Sequence, residues 1–275
     1  MLALPYRNMA FCFHAGLISA KPSSTHVVHY VPADDPTSTF YNMYDTILRH
    51  VRATIRELPK LYGWDFDETT VPLGIRLPDT KTLVDKNLAL KAMLNAAWRR
   101  GSDIERKVIS DWYIKDWGRV RTNAPETLLL YATANEEDIL ARGATGIASW
   151  SKALTIRDPM RFTTFDARTS ISLNALQLLG RTPKPLIFPS LPSRNSRVPL
   201  AQKTAKRVQK LNEYESIKPT ATYRVYNKLL ADVAAALGDS ITNQMVEMVL
   251  FAQADELSER LVAHYDFGTP RPPKQ

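Results

Sequence analysis

One aspartate, Asp166, has the surroundings that most favour chemistry in this 275-residue chain. It lies 20 residues after Gly146, in the segment TTFDARTS, between an apolar stretch and the start of a helical pattern. A carboxylate at a helix N-terminus is stabilised in its ionised form, and it can orient or deprotonate a water molecule. The competing interpretation is an ordinary N-cap that accepts backbone N–H groups of the following turn.

A short turn upstream of Asp166 could bring backbone amides close to an anion. The segment RGATGI, residues 142–147, contains two glycines and separates two helical patterns. Glycine lets a backbone approach a ligand closely, and the free amides of a helix N-terminus bind phosphate. Glycine-containing turns also join helices that bind nothing. The turn therefore indicates a functional site only in combination with Asp166.

The order of helix, glycine-containing turn, helix, irregular loop and Asp166 at a helix start resembles the helix-hairpin-helix DNA glycosylases. Members of that family carry a hairpin, commonly of Leu-Pro-Gly-hydrophobic-Gly type, and an essential aspartate at a similar distance after it. The resemblance covers residues 80–180. It implies an enzyme that binds double-stranded DNA, flips a base and uses Asp166 to stabilise the oxocarbenium character of the sugar.

The hairpin departs from the family pattern at several positions. Thr145 and Ala148 stand where the commonest hairpin has proline and a second glycine. Trp150 stands where bifunctional members carry a nucleophilic lysine, and Lys152 follows two residues later, which rotates it by about 200° on a helix. We therefore expect a monofunctional enzyme that leaves an intact abasic site, with Lys152 catalytic only if the hairpin register is shifted.

Further site residues follow from the neighbourhood of the hairpin and of Asp166. The aromatic side chains that could stack on an extruded base are Trp112, Trp117 and Trp150, with burial in the core as their alternative role. The candidate DNA contacts, for which surface charge or plain packing is the alternative, are Gly143, Thr145, Gly146, Ala148, Ser149, Ser151, Arg161 and Arg168.

The positive charge of the chain is concentrated in one stretch. The formal net charge is +8, and residues 181–212 alone contain eight basic and no acidic residues. Such a stretch predicts a polyanionic partner, because each neutralised phosphate releases counterions. A solvated basic loop is the alternative. An anionic membrane surface is disfavoured, since the sequence shows no strongly amphipathic basic helix there.

Composition excludes several other classes of site. A single cysteine, Cys12, can form neither an intramolecular disulfide nor a four-cysteine zinc or iron–sulfur site. The one close histidine pair, His26 and His29, would point to opposite faces of a strand, so no metal or cofactor is expected. The chain contains neither a membrane-spanning apolar run nor a signal peptide, and we expect a cytoplasmic monomer.

The periodicity predicts a mainly α fold, namely a helical bundle with a second helical subdomain formed by the chain ends, and the resemblance implies that the bundle contains a helix-hairpin-helix motif. Residues 1–80 would hold a short extended segment and the first helix, and residues 181–275 a basic, proline-rich arm and C-terminal helices packing back on the N-terminal region. Between them, six helices are predicted at about 81–99, 103–116, 125–133, 135–142, 147–156 and 166–179. Two more are predicted at about 221–237 and 240–264.

Three functions remain open from the sequence. The first is a DNA glycosylase acting on a modified or mispaired base, in base-excision repair or in defence against phage DNA with modified bases. The second is a non-catalytic helix-hairpin-helix DNA-binding protein in which Asp166 is only a cap. The third is a regulatory factor whose basic arm binds nucleic acid generally.

Overall fold

A computed structural model describes residues 36–266, which are mainly α-helical, with a single isolated bridge between Ile187 and Ser216. The predicted mainly α, helical-bundle fold is confirmed for this part of the chain, whereas the helix-hairpin-helix motif stays a prediction. Cys12, His26 and His29, the extended segment around the two histidines, and the C-terminal tail lie outside the described residues.

The helices that precede and carry Asp166 form close to their predicted positions. Their starts follow capping chemistry: Ser102 and Glu105 form a capping box, Pro125 opens a helix and Asn135 caps another. The helix that begins at Leu83 is capped by Thr82. The helices are α1 (Pro36–Thr54), α2 (Leu58–Leu61), α3 (Leu83–Arg100), α4 (Asp103–Trp112), α5 (Pro125–Thr133), α6 (Glu136–Leu140), α7 (Ile147–Arg157) and α8 (Ala167–Leu179).

The proline-rich stretch after α8, residues 181–196, is an ordered, extended arm that packs along this helix. Amide side chains of α8 form the hydrogen bonds that a neighbouring β-strand would otherwise provide to the arm. Asn174 bonds both the N–H and the C=O of Phe188, and Gln177 bonds both groups of Leu186. Phe188 is buried in the main core. The arm therefore satisfies its backbone groups without regular secondary structure.

A helix that the sequence analysis did not predict follows the arm. Residues Arg197–Asn212 form α9, which contains Pro199. Pro199 is compatible with the helix because it lies in the first turn, where the N–H group has no intrahelical acceptor. Its apolar side packs on α8 and on the last helix of the chain, with Val198, Ala201, Ala205 and Val208 buried.

The C-terminal part contains α10 (Thr222–Leu237), α11 (Asn243–Ala252) and α12 (Ala254–His264). The prediction of a single helix at 240–264 is wrong. The helical segment is interrupted at Gln253, which has φ of −91° and ψ of 1° and separates α11 from α12. Both α10 and α11 pack against α1, so the two ends of the described chain meet.

Two apolar cores meet beside the N-terminus of α8. The larger contains most of α8 and the helices from the chain ends, and the smaller lies around α3 and α4. Trp64 packs against both. A π-helical turn, Tyr113–Trp117, continues α4 and stacks the rings of Tyr113 and Trp117 at a centroid distance of 4.2 Å. Such turns are frequent at functional sites.

Candidate functional site

A small cavity lies at this junction and is lined by charged and aromatic side chains. Its volume is about 20 Å³, roughly the room that one water molecule needs. In this conformation it does not admit a nucleobase. Its lining comes from segments scattered over most of the chain, namely Tyr62, Trp64, Trp117, Gly118, Lys152, Thr164, Asp166, Glu247 and Phe251.

Asp166 caps α8 and at the same time lines the cavity. Its Oδ1 accepts the backbone N–H groups of Arg168 at 2.8 Å and Thr169 at 3.1 Å, and Thr169 Oγ1 accepts the N–H of Asp166. These bonds and the helix N-terminus stabilise a negative charge on the carboxylate. No described residue donates a hydrogen bond to Oδ2, so the cap uses one oxygen and leaves the other available.

The loop before Asp166 is held by buried hydrogen bonds. On α10, the hydroxyls of Tyr223 and Tyr226 donate to the carbonyls of Thr163 and Thr164, both at 2.8 Å, and Asn227 accepts the N–H of Thr163. On α11, Gln244 donates to the carbonyls of Pro159 and Phe162. Since both helices clamp the backbone, the position of Asp166 is fixed from two sides.

Lys152 lines the same cavity, which corrects the expectation that it faces elsewhere. Helix α7 begins after Gly146 as assumed, yet Lys152 is 3% exposed, and its Nζ donates to the Ala148 carbonyl at 2.6 Å. Burial lowers the pKa of Lys152, while the charge of Asp166 opposes this effect. A Cβ on Gly118 would lie 2.4 Å from Lys152 Cε, so only glycine leaves room for this side chain.

A second carboxyl group, Glu247 on α11, was missed by the sequence analysis. It is 3% exposed and lies 3.5 Å from Nζ of the buried Lys91 on α3. Burial raises the pKa of Glu247 to about 7, and the Lys91 charge counteracts part of that rise. The only signal in the sequence is one charged residue within each of two apolar helical patterns, MVEMVLF and LALKAML.

Of the three tryptophans proposed to stack on a base, Trp117 alone lines the cavity. Its Nε1–H donates to Asn87 Oδ1 at 2.8 Å, and its ring meets Trp64 edge to face. Trp150 is 0% exposed and packs against Tyr223, because its position on α7 faces the main core. Trp112 packs against Phe66 in the smaller core. Trp150 and Trp112 therefore take the alternative role, burial in the core, and are not available to stack on a base.

Further aromatic side chains line the cavity. Trp64 and Phe251 meet edge to face with ring centroids 5.3 Å apart. Arg119 lies over Trp64 at 4.4 Å, and Arg168 lies over Phe251 at 4.8 Å. The buried Nε1 of Trp64 has no hydrogen-bond partner among residues 36–266. The arginines thus cover two of the rings that line the cavity.

The glycine-containing turn joins α6 to α7 and has an exposed tip. Gly143 and Gly146 have φ of 58° and 71°, and Thr145 and Gly146 are exposed. Within the described chain, the N–H groups of Gly146 and Ala148 have no hydrogen-bond acceptor, so they are available to an anion. Gly143 is buried against the backbone of Pro219 and does not face solvent, which corrects its assignment as a DNA contact.

The two serines of α7 are internal rather than DNA-facing. Ser149 is 4% exposed and accepts a hydrogen bond from Asn123, and Ser151 is 0% exposed. The Ser151 hydroxyl bonds both the N–H and the C=O of Phe165. Both assignments as phosphate contacts are therefore wrong, and Ser151 instead positions the residue next to Asp166.

The two arginines near Asp166 are engaged in ion pairs. Arg161 is exposed and forms two bonds with Glu136, at 2.7 and 3.0 Å. Arg168 pairs with Asp255 at the start of α12, and Arg197 of α9 lies 3.8 Å from the same carboxylate. A phosphate would have to compete with these carboxylates for either arginine.

One basic side chain of the arm reaches the wall of the cavity, and further basic side chains are exposed on α9. The guanidinium of Arg194 donates to the carbonyl of Arg119, next to Gly118 in the cavity wall. Residues 118–123 then lead from the cavity to α7, where Asn123 bonds Ser149. Farther along α9, the exposed basic side chains are those of Lys203, Lys206, Arg207 and Lys210. Contrary to expectation, α9 is amphipathic, but its apolar side is covered by α8 and α12.

No three His, Cys, Asp or Glu side chains of residues 36–266 are grouped so that they could hold a metal ion. None of the helices in that range combines the length and apolarity needed to cross a bilayer.

Comparisons with family models, with characterised proteins and with solved structures yield no match to this chain.

Proposed function

We propose that the chain is a DNA glycosylase that hydrolyses the N-glycosidic bond of a modified or mispaired base, in base-excision repair or in defence against phage DNA. One observation carries the proposal. Asp166 shares a cavity with a buried amine, a buried carboxyl group and several aromatic rings. An isolated N-cap needs none of these neighbours.

The chemistry follows from the free oxygen of Asp166. As the bond between the sugar C1′ and the base nitrogen breaks, positive charge develops on the sugar, and a carboxylate close to it stabilises that charge. Oδ2 can also accept the proton of a water molecule that attacks C1′. The cavity has the volume of about one water molecule, which is the nucleophile that this step requires.

Binding of a base requires the cavity to widen. Pockets for small organic ligands are usually about 300 Å³ or more, far above the volume observed beside Asp166. The side chains that could move are Trp64 and Phe251, whose rings are covered by Arg119 and Arg168. Phosphates of bound DNA would attract both arginines away from the rings, so DNA binding and opening would be linked.

The basic surface supports duplex DNA as the partner. The free amides of the turn between α6 and α7 suit a phosphate, and the exposed cations of the arm and α9 suit others. These contacts would be made to the sugar-phosphate backbone of the DNA and would not distinguish one base sequence from another. Recognition of the base would therefore fall to the aromatic lining of the cavity.

A non-catalytic DNA-binding protein is the second candidate. It is favoured by the capping box that Asp166 forms and by the narrow cavity, both of which a purely structural aspartate would also show. The third candidate, a factor that binds RNA or any nucleic acid through its basic surface, has only that surface in its favour.

Base release from defined duplexes separates the candidates. End-labelled duplexes that carry 8-oxoguanine, hypoxanthine, uracil, 7-methylguanine, 5-hydroxymethylcytosine or a mismatch are incubated with excess protein, and abasic sites are revealed by alkali. We expect release from at least one duplex. Tight binding without release from any of them would favour the second candidate, and equal binding to RNA would favour the third.

A further inference from the structure

Glu247 is a buried carboxyl group, and its ion pair with Lys91 is long. Lys91 Nζ makes its short bond, 2.6 Å, to the amide oxygen of Gln244, and it lies 3.5 Å from Glu247 Oε2. The other oxygen, Oε1, accepts no hydrogen bond from a described residue. A purely structural ion pair would be expected to show the closer contact between its two charges.

The position of Glu247 relative to Asp166 is that of a second reactive group. Both line one cavity of about 20 Å³, so both lie within reach of whatever occupies it. Their surroundings differ, because Asp166 accepts two backbone N–H bonds at a helix N-terminus, whereas Glu247 lies within α11 and is 3% exposed. Two carboxyl groups in unlike environments are the usual means of obtaining one acid and one base.

We propose that Glu247 is the general acid of this cavity and protonates the departing base, while Asp166 acts on the water. The inference rests on the proposed function and adds a catalytic residue to it. It also implies a substrate class, namely bases that are neutral and therefore leave poorly without a proton.

The step balances as follows. The bond between C1′ and the base nitrogen breaks, and its electron pair goes to the base. The carboxyl proton of Glu247 passes to the base, which leaves as a neutral molecule. The water oxygen bonds to C1′ and its proton passes to Asp166, so that solvent only has to return one proton from Asp166 to Glu247.

The charges around Glu247 come from several elements. Burial is the main cause that raises the pKa of Glu247, to about 7, and Asp166 adds to the rise while Lys91 and Lys152 oppose it. At neutral pH a substantial share of the group is then protonated. The remaining titratable neighbours, whose own pKa values are raised by burial and in part by the charge of Glu247, are Tyr62, Tyr113, Tyr223 and Tyr226.

The test compares Glu247→Gln with wild type on two kinds of leaving group. 7-Methylguanine is cationic and leaves as a neutral base without protonation, whereas hypoxanthine and uracil leave as anions unless an acid protonates them. Loss of a general acid should slow release of the neutral bases by about 100-fold or more, and release of 7-methylguanine by only a few fold. Glu256→Gln, at an exposed position on α12, is the matched control.

The outcomes distinguish this inference from the proposed function. Equal slowing on both kinds of base, or no slowing on either, overturns the role of Glu247 and leaves the glycosylase proposal standing. If wild type releases no base from any duplex, the proposed function fails and this role fails with it.

A second measurement does not depend on activity. Because burial raises the pKa of Glu247 from 4.5 to about 7, the folded protein binds a proton where the unfolded chain does not. The stabilisation from this group is complete below pH 4.5 and is lost as the pH rises to about 7. We expect the unfolding free energy of wild type to fall across this window relative to Glu247→Gln. Parallel curves would show that Glu247 carries no proton there and would overturn the proposal.

Discussion

Asp166 shows how one side chain can serve both the fold and the proposed chemistry. Its Oδ1 accepts both backbone N–H groups of the cap, and its Oδ2 accepts none. Because the cap and the reaction would use different oxygens, the two interpretations of this aspartate do not compete. Its position at a helix start could be predicted from the sequence, because capping depends on neighbouring residues alone.

The partners of Asp166 could not be predicted in the same way. Glu247 and Lys91 come from helices far apart in the chain, and only tertiary packing brings them to the cavity. Lys152 was misjudged because helix geometry gives the direction of a side chain at Cβ, whereas a long flexible stem can bend its amine back. Gly118 provides the space for that bend.

Lys152 is the residue that could change the reaction class. A lyase needs a deprotonated amine that attacks C1′ to form an imine, and burial lowers the pKa of Lys152. The amine is nevertheless bound to the Ala148 carbonyl at 2.6 Å. We therefore expect borohydride to trap no covalent adduct between wild type and substrate duplex, and strand breaks to appear only after alkali.

Lys152→Met is the matched variant, since it keeps the apolar stem beside Gly118 and removes the amine. An adduct that forms with wild type and is absent from this variant would contradict hydrolysis by water and make the enzyme a lyase.

At the scale of elements, the turn between α6 and α7 depends on Gly146. This residue has φ of 71°, and a Cβ there would lie 2.6 Å from the Tyr131 hydroxyl. Gly146→Ala should lower the unfolding free energy by about 1–2 kcal/mol from the left-handed conformation alone, and by more from the clash. Thermal or denaturant unfolding measures the loss.

Two variants isolate the cause of that loss. Gly63→Ala is the control, because a Cβ there meets nothing within 4 Å and its φ is not in the left-handed region. Tyr131→Phe removes the hydroxyl and should recover part of the stability in combination with Gly146→Ala. A Gly146→Ala protein as stable as wild type would show that the turn differs from the one described.

Helix positions were largely predictable where local signals agree. The capping box at Ser102, the proline at Pro125 and the cap at Asn135 each fixed a helix start. The prediction failed for α9, because Pro199 is tolerated in a first turn, and for the break at Gln253, where neither glycine nor proline marks the end of α11.

At the scale of the whole molecule, the charge of residues 181–212 includes four exposed basic side chains on α9. The exposed cations of α9 should bind phosphates without reading sequence, because they offer charge rather than directed base contacts. Removing four of them should weaken binding to every duplex alike and flatten the slope of log K against log salt by up to about 3.6, at 0.9 per contact. The variant carries alanine at Lys203, Lys206, Arg207 and Lys210.

The control removes the same amount of charge at other sites. It therefore separates the effect of the position of the charges on DNA affinity from the effect of net charge. It carries alanine at four exposed sites outside the arm and α9, namely Arg76, Lys81, Arg99 and Arg100. If both variants lose the same affinity, or if the α9 variant keeps the wild-type salt slope, then α9 faces away from the DNA.

The central claim, that Asp166 performs the chemistry of base release, is tested most directly by Asp166→Asn under single-turnover conditions. Asparagine is as good an N-cap as aspartate, so the fold and the DNA affinity should stay within a few fold of wild type. Asp67→Asn is the matched control, because Asp67 also caps a turn but is exposed and outside the cavity. We predict that base release falls by about 100-fold or more in Asp166→Asn and is unchanged in Asp67→Asn. Release at the wild-type rate by Asp166→Asn would contradict the account.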